Sequence, residues 1–336
     1  MNVFELTRKL VDIESITPNE KAVGDFVFDY LQPMVSQYGG NIEKIEVEPN
    51  RNNIFAWWGD TPSVTLSTHL DTVPPFFASR EDDEFIWGRG ACDVKDIIAS
   101  MIHAAQQLLA EGVRNFGVLF VVGEERNSAG AYHAGKHPRG SKYIINGEPT
   151  SNKLALGSKG ALRYEVIASG RMAHSAYPEL GDSAILKLLD VLQKIRGIEL
   201  PVHEKLGPST LNIGTITGGR APNVIPDHAK AELFFRLVDD GNATAAAMQA
   251  LATPGVEIKE VLRIPAVHLG SMPGFDTCVV AYTTDIPAFG TAWGQPFLLG
   301  PGTIHVAHTS EERISKKELY ESVGLYAGLV RTLLKS

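Results

Sequence analysis

The sequence predicts an α/β protein whose main domain is interrupted by a smaller inserted domain. Buried, β-branched strands alternate with amphipathic helices over the first half of the chain, which is typical of a doubly wound, mostly parallel sheet. At about residue 156 the pattern changes to half-polar, alternating strands, and it returns to buried strands near residue 266. We therefore predict a main domain formed by 1–155 and 266–336 and an inserted α+β domain formed by 156–265.

Composition and charge exclude several classes of function. The 336 residues are 44% hydrophobic, which is enough for large cores, and 39 acidic against 31 basic side chains give a net charge of -8. No basic run, membrane-length apolar stretch or secretion signal is present. Cys92 and Cys278 form no C-x-x-C arrangement. We expect a cytoplasmic protein that binds neither nucleic acid nor membranes.

The elements of the main domain follow from apolar periodicity. The N-terminus has the spacing of an amphipathic helix, and a second helix ends near Gly39. A capping box from Ser315 to Glu318 opens the last helix. The further helices and buried strands are predicted over 42–47, 53–57, 64–69, 94–111, 117–122, 143–146 and 296–299.

The inserted domain is predicted from a different pattern. Residues 161–168 and 230–237 alternate between polar and apolar side chains, whereas 183–196 and 243–251 have helical periodicity. Two helices and several half-polar strands indicate an antiparallel sheet that is covered on one face.

The strand V-T-L-S-T-H-L-D ends in two residues that are able to do chemistry. Side chains alternate along an extended chain, so His69 and Asp71 face the same way. One could bind a metal while the other orients it. For this pair alone, a core histidine beside a capping aspartate is the commoner explanation.

The same pattern recurs along the chain. A loop carries Asp93, a buried strand ends in Glu124 and Glu125, another is followed by Glu148, and His308 lies in a late loop. Each has an ordinary explanation, such as a helix N-cap for Asp93, a solvated acidic pair or a turn residue. The carboxyl ends of parallel strands meet at one edge of a sheet, so a single site explains them more economically.

The chemistry of these residues fits two zinc ions. Imidazole and carboxylate ligands without thiolate are typical of a catalytic zinc site that keeps one position open. Two metals about 3.5 to 4 Å apart need a bridging carboxylate. Within the adjacent pair Glu124 and Glu125, one acid can bind metal while the other remains free as a general base.

The motifs around these residues resemble those of a known family. They are S-T-H-L-D-T-V-P, G-R-G-A-C-D-V-K, G-E-E, N-G-E-P-T, R-M-A-H-S-A-Y-P, N-V-I-P and A-H-T. In this order, over nearly the whole chain, they resemble the zinc-dependent deacylase and peptidase family that includes acetylornithine deacetylase, succinyl-diaminopimelate desuccinylase and glutamate carboxypeptidase.

The resemblance implies a role for each residue of the main domain. It implies that Asp93 bridges two Zn²⁺ ions, for which Co²⁺ or Mn²⁺ could substitute, and that Asp71 orients a ligand histidine. It implies that Glu124 is the general base. The remaining implied ligands are His69 and Glu148 for one ion, and Glu125 and His308 for the other.

For the inserted domain, the resemblance implies dimerisation and substrate binding. His174 would enter the active site of the neighbouring subunit and stabilise an oxyanion. Asn223 and Arg236 match positions that hold the carbonyl and the carboxylate of the substrate. We therefore expect a homodimer formed through the inserted domain.

The sequence departs from the family pattern at a few positions and leaves one choice open. Asp96 stands where relatives more often have Gly, and Gly123 where they often have Thr. Neither is an implied ligand. His305 lies three residues before His308 and could replace it, but A-H-T fits the family motif at His308.

These observations lead to a functional hypothesis. We expect hydrolysis of the amide bond of a small N-acyl amino acid, with a deacetylase of the acetylornithine or acetyl-lysine type in amino-acid biosynthesis as the first choice. The alternatives are succinyl-diaminopimelate desuccinylase and a dipeptidase or carboxypeptidase. A catalytically silent binding protein on the same fold is the alternative of another class, and the complete ligand set with an intact Glu124 argues against it.

Overall fold

A computed structural model describes residues 1–336, which form two compact units. The first unit comprises Met1–Leu156, Leu269–Cys278 and Thr284–Ser336, and the second comprises Gly157–His268 and Val279–Thr283. The sequence assigns 266–268 and 279–283 to the main domain, but both segments lie in the second unit. Val267 pairs with Ser158, and the Lys159 amide donates to the Val280 carbonyl at 3.1 Å.

The first unit contains most of the helices of the chain. Its helices are α1 (Val3–Val11), α2 (Lys21–Tyr38), α3 (Lys95–Ala110), α4 (Ala129–Lys136), α7 (Ile286–Phe289) and α8 (Lys316–Leu333). Its strands are β1 (Asn41–Glu48), β2 (Arg51–Trp58), β3 (Val64–His69), β4 (Arg80–Glu81), β5 (Phe85–Trp87), β6 (Phe116–Val121), β7 (Tyr143–Asn146), β19 (Gln295–Leu298) and β20 (Arg313–Ser315). Two further strands, β8 (Leu154–Ser158) and β18 (Thr277–Val280), lie where the chain passes from one unit to the other.

A six-stranded sheet with the order β1-β2-β6-β3-β7-β19 forms the centre of this unit. The four strands β6, β3, β7 and β19 are parallel, whereas β1 and β2 run antiparallel at one edge. The prediction of a mostly parallel sheet is confirmed. Three short strands, β20, β5 and β4, form a separate antiparallel sheet.

Both faces of the large sheet are covered, as a doubly wound fold requires. Alternate residues of β2 point to opposite faces, so Ile54 and Trp58 pack in one core while Phe55 packs in another. The first core includes apolar side chains of α1, α2, α3 and α8, and the second includes side chains of α4 and α7.

The helix ends agree only in part with the sequence prediction. Helix α2 ends at Gly39 in the left-handed conformation, with φ 66°, as expected. At α8, Ser315 accepts the Glu318 amide at 3.5 Å, but the predicted capping box is incomplete. The Glu318 carboxylate accepts the Gly302 amide at 2.8 Å and does not reach back to the cap. A tertiary contact thus replaces the local one.

The second unit is an α+β fold around an antiparallel sheet, as predicted. Its elements are β9 (Gly160–Ser169), β10 (Ala173–His174), a short 3-10 turn (Pro178–Leu180), α5 (Ala184–Arg196), β11 (Val202–His203), β12 (Gly207–Pro208), β13 (Thr210–Gly218), β14 (Val224–Ile225), β15 (His228–Leu237), α6 (Asn242–Gln249), β16 (Val256–Ile264) and β17 (Val267–His268). The four-stranded sheet has the order β13-β15-β9-β16, and apolar residues from one face pack against α5.

No helix of the protein combines the length and the apolar character that crossing a membrane requires.

Candidate metal centre

The candidate centre forms where three parallel strands end beside one another. His69 is the last residue of β3, while Glu124 follows β6 and Glu148 follows β7. Because β3 lies between β6 and β7, these three chain ends lie at the same edge of the sheet. Asp93 reaches this edge from the loop that precedes α3.

The first group of candidate ligands consists of His69, Asp93 and Glu148. Their ligand atoms all lie within 4.8 Å of one another, and all three residues are buried. The His69 Nε2 atom is 3.1 Å from Asp93 Oδ1. The Glu148 Oε1 atom is buried without a hydrogen-bond partner, and a cation would satisfy it.

The second group consists of Asp93, Glu125 and His308. The His308 Nε2 atom lies 3.2 Å from Asp93 Oδ2 and 3.1 Å from Glu125 Oε2. Asp93 therefore belongs to both groups, with Oδ1 directed at one and Oδ2 at the other. One carboxylate shared between two ligand groups is the arrangement that bridges two metal ions.

These residues fit a pair of divalent cations by their donor chemistry. Two imidazoles and three carboxylates supply nitrogen and oxygen ligands with no thiolate, the set found in catalytic zinc sites. Clustered buried carboxylates repel one another unless positive charge or protons compensate them. Two cations would supply that charge.

The histidines are strongly basic in the metal-free protein. Burial disfavours the charged form of His69, but hydrogen bonds to Asp71 and Asp93 outweigh burial and raise its pKa well above 6.5. Hydrogen bonds to Asp93 and Glu125 raise the pKa of His308 to about 10. In turn, these imidazolium groups overcome burial and hold the pKa of Asp93 well below its usual range. The imidazolium groups thus supply part of the positive charge that the clustered carboxylates need.

The free acid of the Glu-Glu pair has a different environment. Burial raises the pKa of Glu124 well above 4.5, and the nearby carboxylates Asp285 and Glu125 raise it further. Burial and the charge of Glu124 raise the pKa of Glu148 in the same way. A raised pKa suits a general base, which must both take up and return a proton.

Asp71 holds both the first histidine and the acidic loop. The Asp71 main-chain carbonyl accepts a hydrogen bond from His69 Nδ1 at 3.0 Å, and the carboxylate lies 3.5 Å from the same nitrogen. The carboxylate also accepts the amides of Gly123, Glu124 and Glu125 at 3.0 to 3.2 Å. The predicted contact with His69 is made mainly through the main chain, whereas the carboxylate fixes the loop of the acidic pair.

Two ordinary explanations can be compared with the geometry. Asp93 does not cap α3: the residue at the N-cap is Val94, and no side chain caps the helix. His308 lies in a ligand group, and its neighbour His305 does not. The assignment of individual ligands and of Glu124 as the base remains a prediction.

Within the second unit, the predicted substrate residues do not all lie together. His174 pairs with Val224 across β10 and β14, and the Asn223 carbonyl accepts the Ser175 amide at 3.0 Å, so His174 and Asn223 are neighbours. Arg236 lies near the far end of β15, eight positions from His228, which is roughly 26 Å at about 3.3 Å per residue. Within a single subunit, Arg236 is thus separated from His174 and Asn223.

Two residues near the candidate centre have no signal in the sequence. The Thr17 hydroxyl donates to Asp71 at 2.6 Å from a loop 54 positions earlier. Asp285 is fully buried, and burial raises its pKa to about 7. Neither belongs to a motif or a periodic segment, because each reaches the centre through long-range folding alone.

Comparisons with known proteins place these observations in context. Residues 156–254 match the family described as "Peptidase dimerisation domain". A Schizosaccharomyces pombe protein described as "Peptidase M20 domain-containing protein" is 39% identical over 340 residues, which cover 98% of this chain and 84% of that protein. An Aspergillus niger protein described as "Probable carboxypeptidase" is 36% identical over 378 residues, covering 98% and 89%.

A solved structure has the same fold. The aminopeptidase PepT of Bacillus cereus superposes with a TM-score of 0.81 and 18% identity, covering 99% of this chain and 98% of that chain. At this identity the likeness concerns the fold alone.

Proposed function

The chain belongs to the M20 peptidase family, and from this premise we propose that it is a metallopeptidase of the carboxypeptidase or dipeptidase type. As a member of this family it is a hydrolase. The relatives described above do not show the specificity of the acetylornithine-type deacetylase that the sequence favours first. The carboxypeptidase name of the Aspergillus niger protein favours the alternative.

The observation that carries this proposal is the pair of ligand groups that share Asp93, with Glu124 beside them and outside both groups. Two divalent cations bound there would supply Lewis acidity for a carbonyl and would lower the pKa of a water molecule. His69 and Glu148 would hold one, and Glu125 and His308 the other.

Glu124 is the residue proposed to move protons. Three hydrogen bonds, donated by the backbone amides of residues 123–125 to the Asp71 carboxylate, hold the main chain around Glu124 in place. Because its pKa is raised, it can accept a proton from a water molecule and later donate it to the leaving amine. Both transfers occur at the same carboxylate.

Arg236 supports specificity for a substrate with a free carboxylate. Its Nη1 atom is buried without a hydrogen-bond partner, and the guanidinium lies over the Phe234 ring, 4.6 Å from the centroid. A partly buried guanidinium whose Nη1 atom has no partner is costly unless a ligand completes it, and a carboxylate matches its fork of donors. The C-terminus of a peptide is such a ligand.

The separation of Arg236 from His174 supports a homodimer. Strand β13 has a free edge in the four-stranded sheet and lies within the 156–254 match, and its Ile216 side chain is 56% exposed. Two copies related by a two-fold axis would pair these edges in antiparallel orientation. The Thr210 end of one strand, which lies beside Arg236, would then meet the Gly218 end of the other.

Such pairing would bring residues of two subunits to one substrate. The Gly218 end of β13 lies beside Ala229, close to the turn that carries Asn223, and Asn223 neighbours His174. We propose that His174 and Asn223 of one subunit and Arg236 of the other bind the same substrate. His174 would donate a hydrogen bond to the developing oxyanion.

A substrate panel tests the proposed function. Purified protein with added Zn²⁺ or Co²⁺ would be assayed on dipeptides, longer peptides, N-acetylornithine and N-succinyl-diaminopimelate, each also as a C-terminal amide where it can be made. We expect turnover of peptides with a free C-terminus and little turnover of the amides. Fastest turnover of N-acetylornithine would contradict the assignment to the peptidase type.

Two variants test the role of Arg236. Because a hydrogen bond to a charged group contributes about 1.5 to 3 kcal/mol, Arg236→Met should raise KM for free carboxylates about 10- to 100-fold. Arg196→Met, at an exposed position of α5, is the matched control. Equal KM values for the two variants would exclude Arg236 from substrate binding.

A further inference from the structure

Glu312 is a buried acid that joins the loop of His308 to the loop of Asp93. It is 0% exposed and lies four residues after His308, directly before β20. The ligand groups described above do not include it. A completely buried carboxylate is retained at a cost to stability unless its partners compensate it, so its contacts identify what it does.

The Glu312 carboxylate is fully engaged with the Asp93 loop. Its Oε1 atom accepts the amides of Gly90 at 2.8 Å and of Cys92 and Asp93 at 3.2 Å. Its Oε2 atom accepts a hydrogen bond from Arg89 Nη1. Four donors of residues 89–93 thus converge on one side chain, which fixes the main chain immediately before the shared ligand.

The same connection is reinforced through Arg89 and the main chain. Arg89 is 2% exposed, its Nε atom donates to the Pro75 carbonyl at 3.2 Å, and its guanidinium lies over the Phe77 ring. The Gly88 amide donates to the Glu312 carbonyl at 3.1 Å. Glu312 therefore connects the two loops through its side chain and its main chain together.

We propose that Glu312 is a positioning residue. It holds the Asp93 and His308 side chains at a separation that lets both ligate one cation. This inference rests on the proposed function. In the structure, His308 Nε2 lies 3.2 Å from Asp93 Oδ2. In the second ligand group, two of the three ligands depend on the loops that Glu312 joins.

A second contact joins the same two segments without this carboxylate. The pairing of β20 with β5, through Ile314 and Ile86, already holds the neighbouring backbone segments together. What Glu312 adds is the direction of the amides that lead into Asp93. The first ligand group should depend on it less, because His69 and Glu148 are held by strands β3 and β7.

Calorimetric titration of the metal-free protein with Zn²⁺ tests the proposal. Glu312→Gln keeps an acceptor oxygen for the amides but removes the charge that faces Arg89. Loss of a residue that orients a metal ligand typically lowers affinity 10- to 100-fold. We expect such a loss for one of two zinc equivalents and a change of about threefold or less for the other. Glu311→Gln, at the exposed neighbouring position, should bind zinc as the wild type does.

Spectra of the Co²⁺-substituted protein separate positioning from general destabilisation. In Glu312→Gln, the absorption bands of the Co²⁺ ion in the first ligand group should persist, while those of the Co²⁺ ion in the second ligand group should change. Equal weakening of both equivalents, or a wild-type titration, would overturn the proposal. If Glu312→Gln does not fold, Arg89→Gln should cause the same selective loss, and unchanged binding would overturn the inference.

The two proposals fail in different ways. If the wild-type protein binds neither Zn²⁺ nor Co²⁺, the proposed function fails and with it the basis of this inference. If the wild type binds two equivalents and the Glu312 and Arg89 variants do the same, only the role of Glu312 is excluded.

Discussion

At the scale of single residues, Asp93 is the position on which both ligand groups depend. Its two oxygens face His69 and His308 at 3.1 and 3.2 Å. Because Asp93 places one oxygen in each ligand group, the fold itself brings the candidate ligands together. A preassembled site avoids part of the ordering that metal binding would otherwise require.

The general base can be tested without disturbing the metal ligands. Glu124→Gln should reduce kcat about 10²- to 10⁴-fold, the usual contribution of general acid–base catalysis. The metal content, measured by elemental analysis, should stay at the wild-type value because Glu124 belongs to neither group. Loss of metal together with activity would show that Glu124 is a ligand instead.

The pKa shifts predict an unusual pH dependence for the metal-free protein. His308, with a pKa raised from 6.5 to about 10, contributes stability that is complete below its unfolded pKa and is lost as pH rises towards 10. The raised pKa values of the carboxyls Glu124 and Glu148 act in the same direction, because the folded state binds more protons than the unfolded state.

Thermal melting measures this effect. The Tm of chelator-treated protein should fall as pH rises from about 5 to about 9. With excess Zn²⁺ the dependence should reverse over the lower part of this range, because metal binding displaces the same protons. If the Tm of the metal-free protein is independent of pH, the raised pKa values of His308, Glu124 and Glu148 are contradicted.

Several residues of the candidate site can be predicted from the sequence because they end or follow buried strands, which have a recognisable apolar pattern. His69 and Asp71 end a buried strand, and Glu124, Glu125 and Glu148 follow two others. The structure places the side chains of His69 and Glu148 near Asp93, as one site requires. Periodicity predicts the strands, and the rule for the carboxyl edge of parallel sheets predicts that their ends lie together. The family resemblance, and not the pattern, implied which residues bind which ion.

At the scale of elements, the parallel strands place the ligands while loops orient them. The loop after β6 is held by Asp71, and the loop before α3 is held by Glu312. Neither contact could be predicted from the sequence. Each joins residues more than 50 positions apart, and no periodic pattern records which loop a buried acid will contact.

The same limit explains the errors at element ends. Glu318 was expected to complete a local capping box, but the folded chain brings the Gly302 amide to its carboxylate. The segment Val279–Thr283 was expected in the main domain, but it joins the second unit through contacts such as that between Lys159 and Val280. In both cases a contact with a residue distant in the sequence replaces the contact expected locally.

The loop after β6 provides a test at this scale. Asp71→Asn keeps one acceptor oxygen but turns an NH2 donor either towards the Gly123 and Glu124 amides or towards the Glu125 amide, which leaves buried donors unpaired. We expect a loss of about 1 to 3 kcal/mol in the free energy of unfolding, measured by urea denaturation. Zinc affinity should fall about 10-fold or more.

Asp60→Asn serves as the control for this change, because Asp60 is exposed. It should leave both quantities unchanged. A stability of Asp71→Asn equal to that of the control would show that the carboxylate does not hold the acidic loop.

At the scale of the whole molecule, two subunits are proposed to complete each active site. His174→Ala and Glu124→Ala subunits should each be inactive as homodimers. In a mixed dimer, one site receives an intact His174 and retains its own Glu124. Random mixing of equal amounts should restore about a quarter of the wild-type sites.

This complementation is measured by assaying the mixture after denaturation and refolding together. Refolding each variant separately before mixing is the control, because preformed homodimers should stay inactive until they exchange. Activity that never exceeds the sum of the separate variants would show that His174 acts within its own subunit.

The most direct test of the central claim is a crystal structure of the zinc-treated protein with anomalous diffraction recorded at the zinc edge. The claim predicts two anomalous peaks about 3.5 to 4 Å apart on either side of the Asp93 carboxylate. One peak should contact His69 and Glu148, and the other Glu125 and His308. A single peak, or none within reach of Asp93, would contradict it.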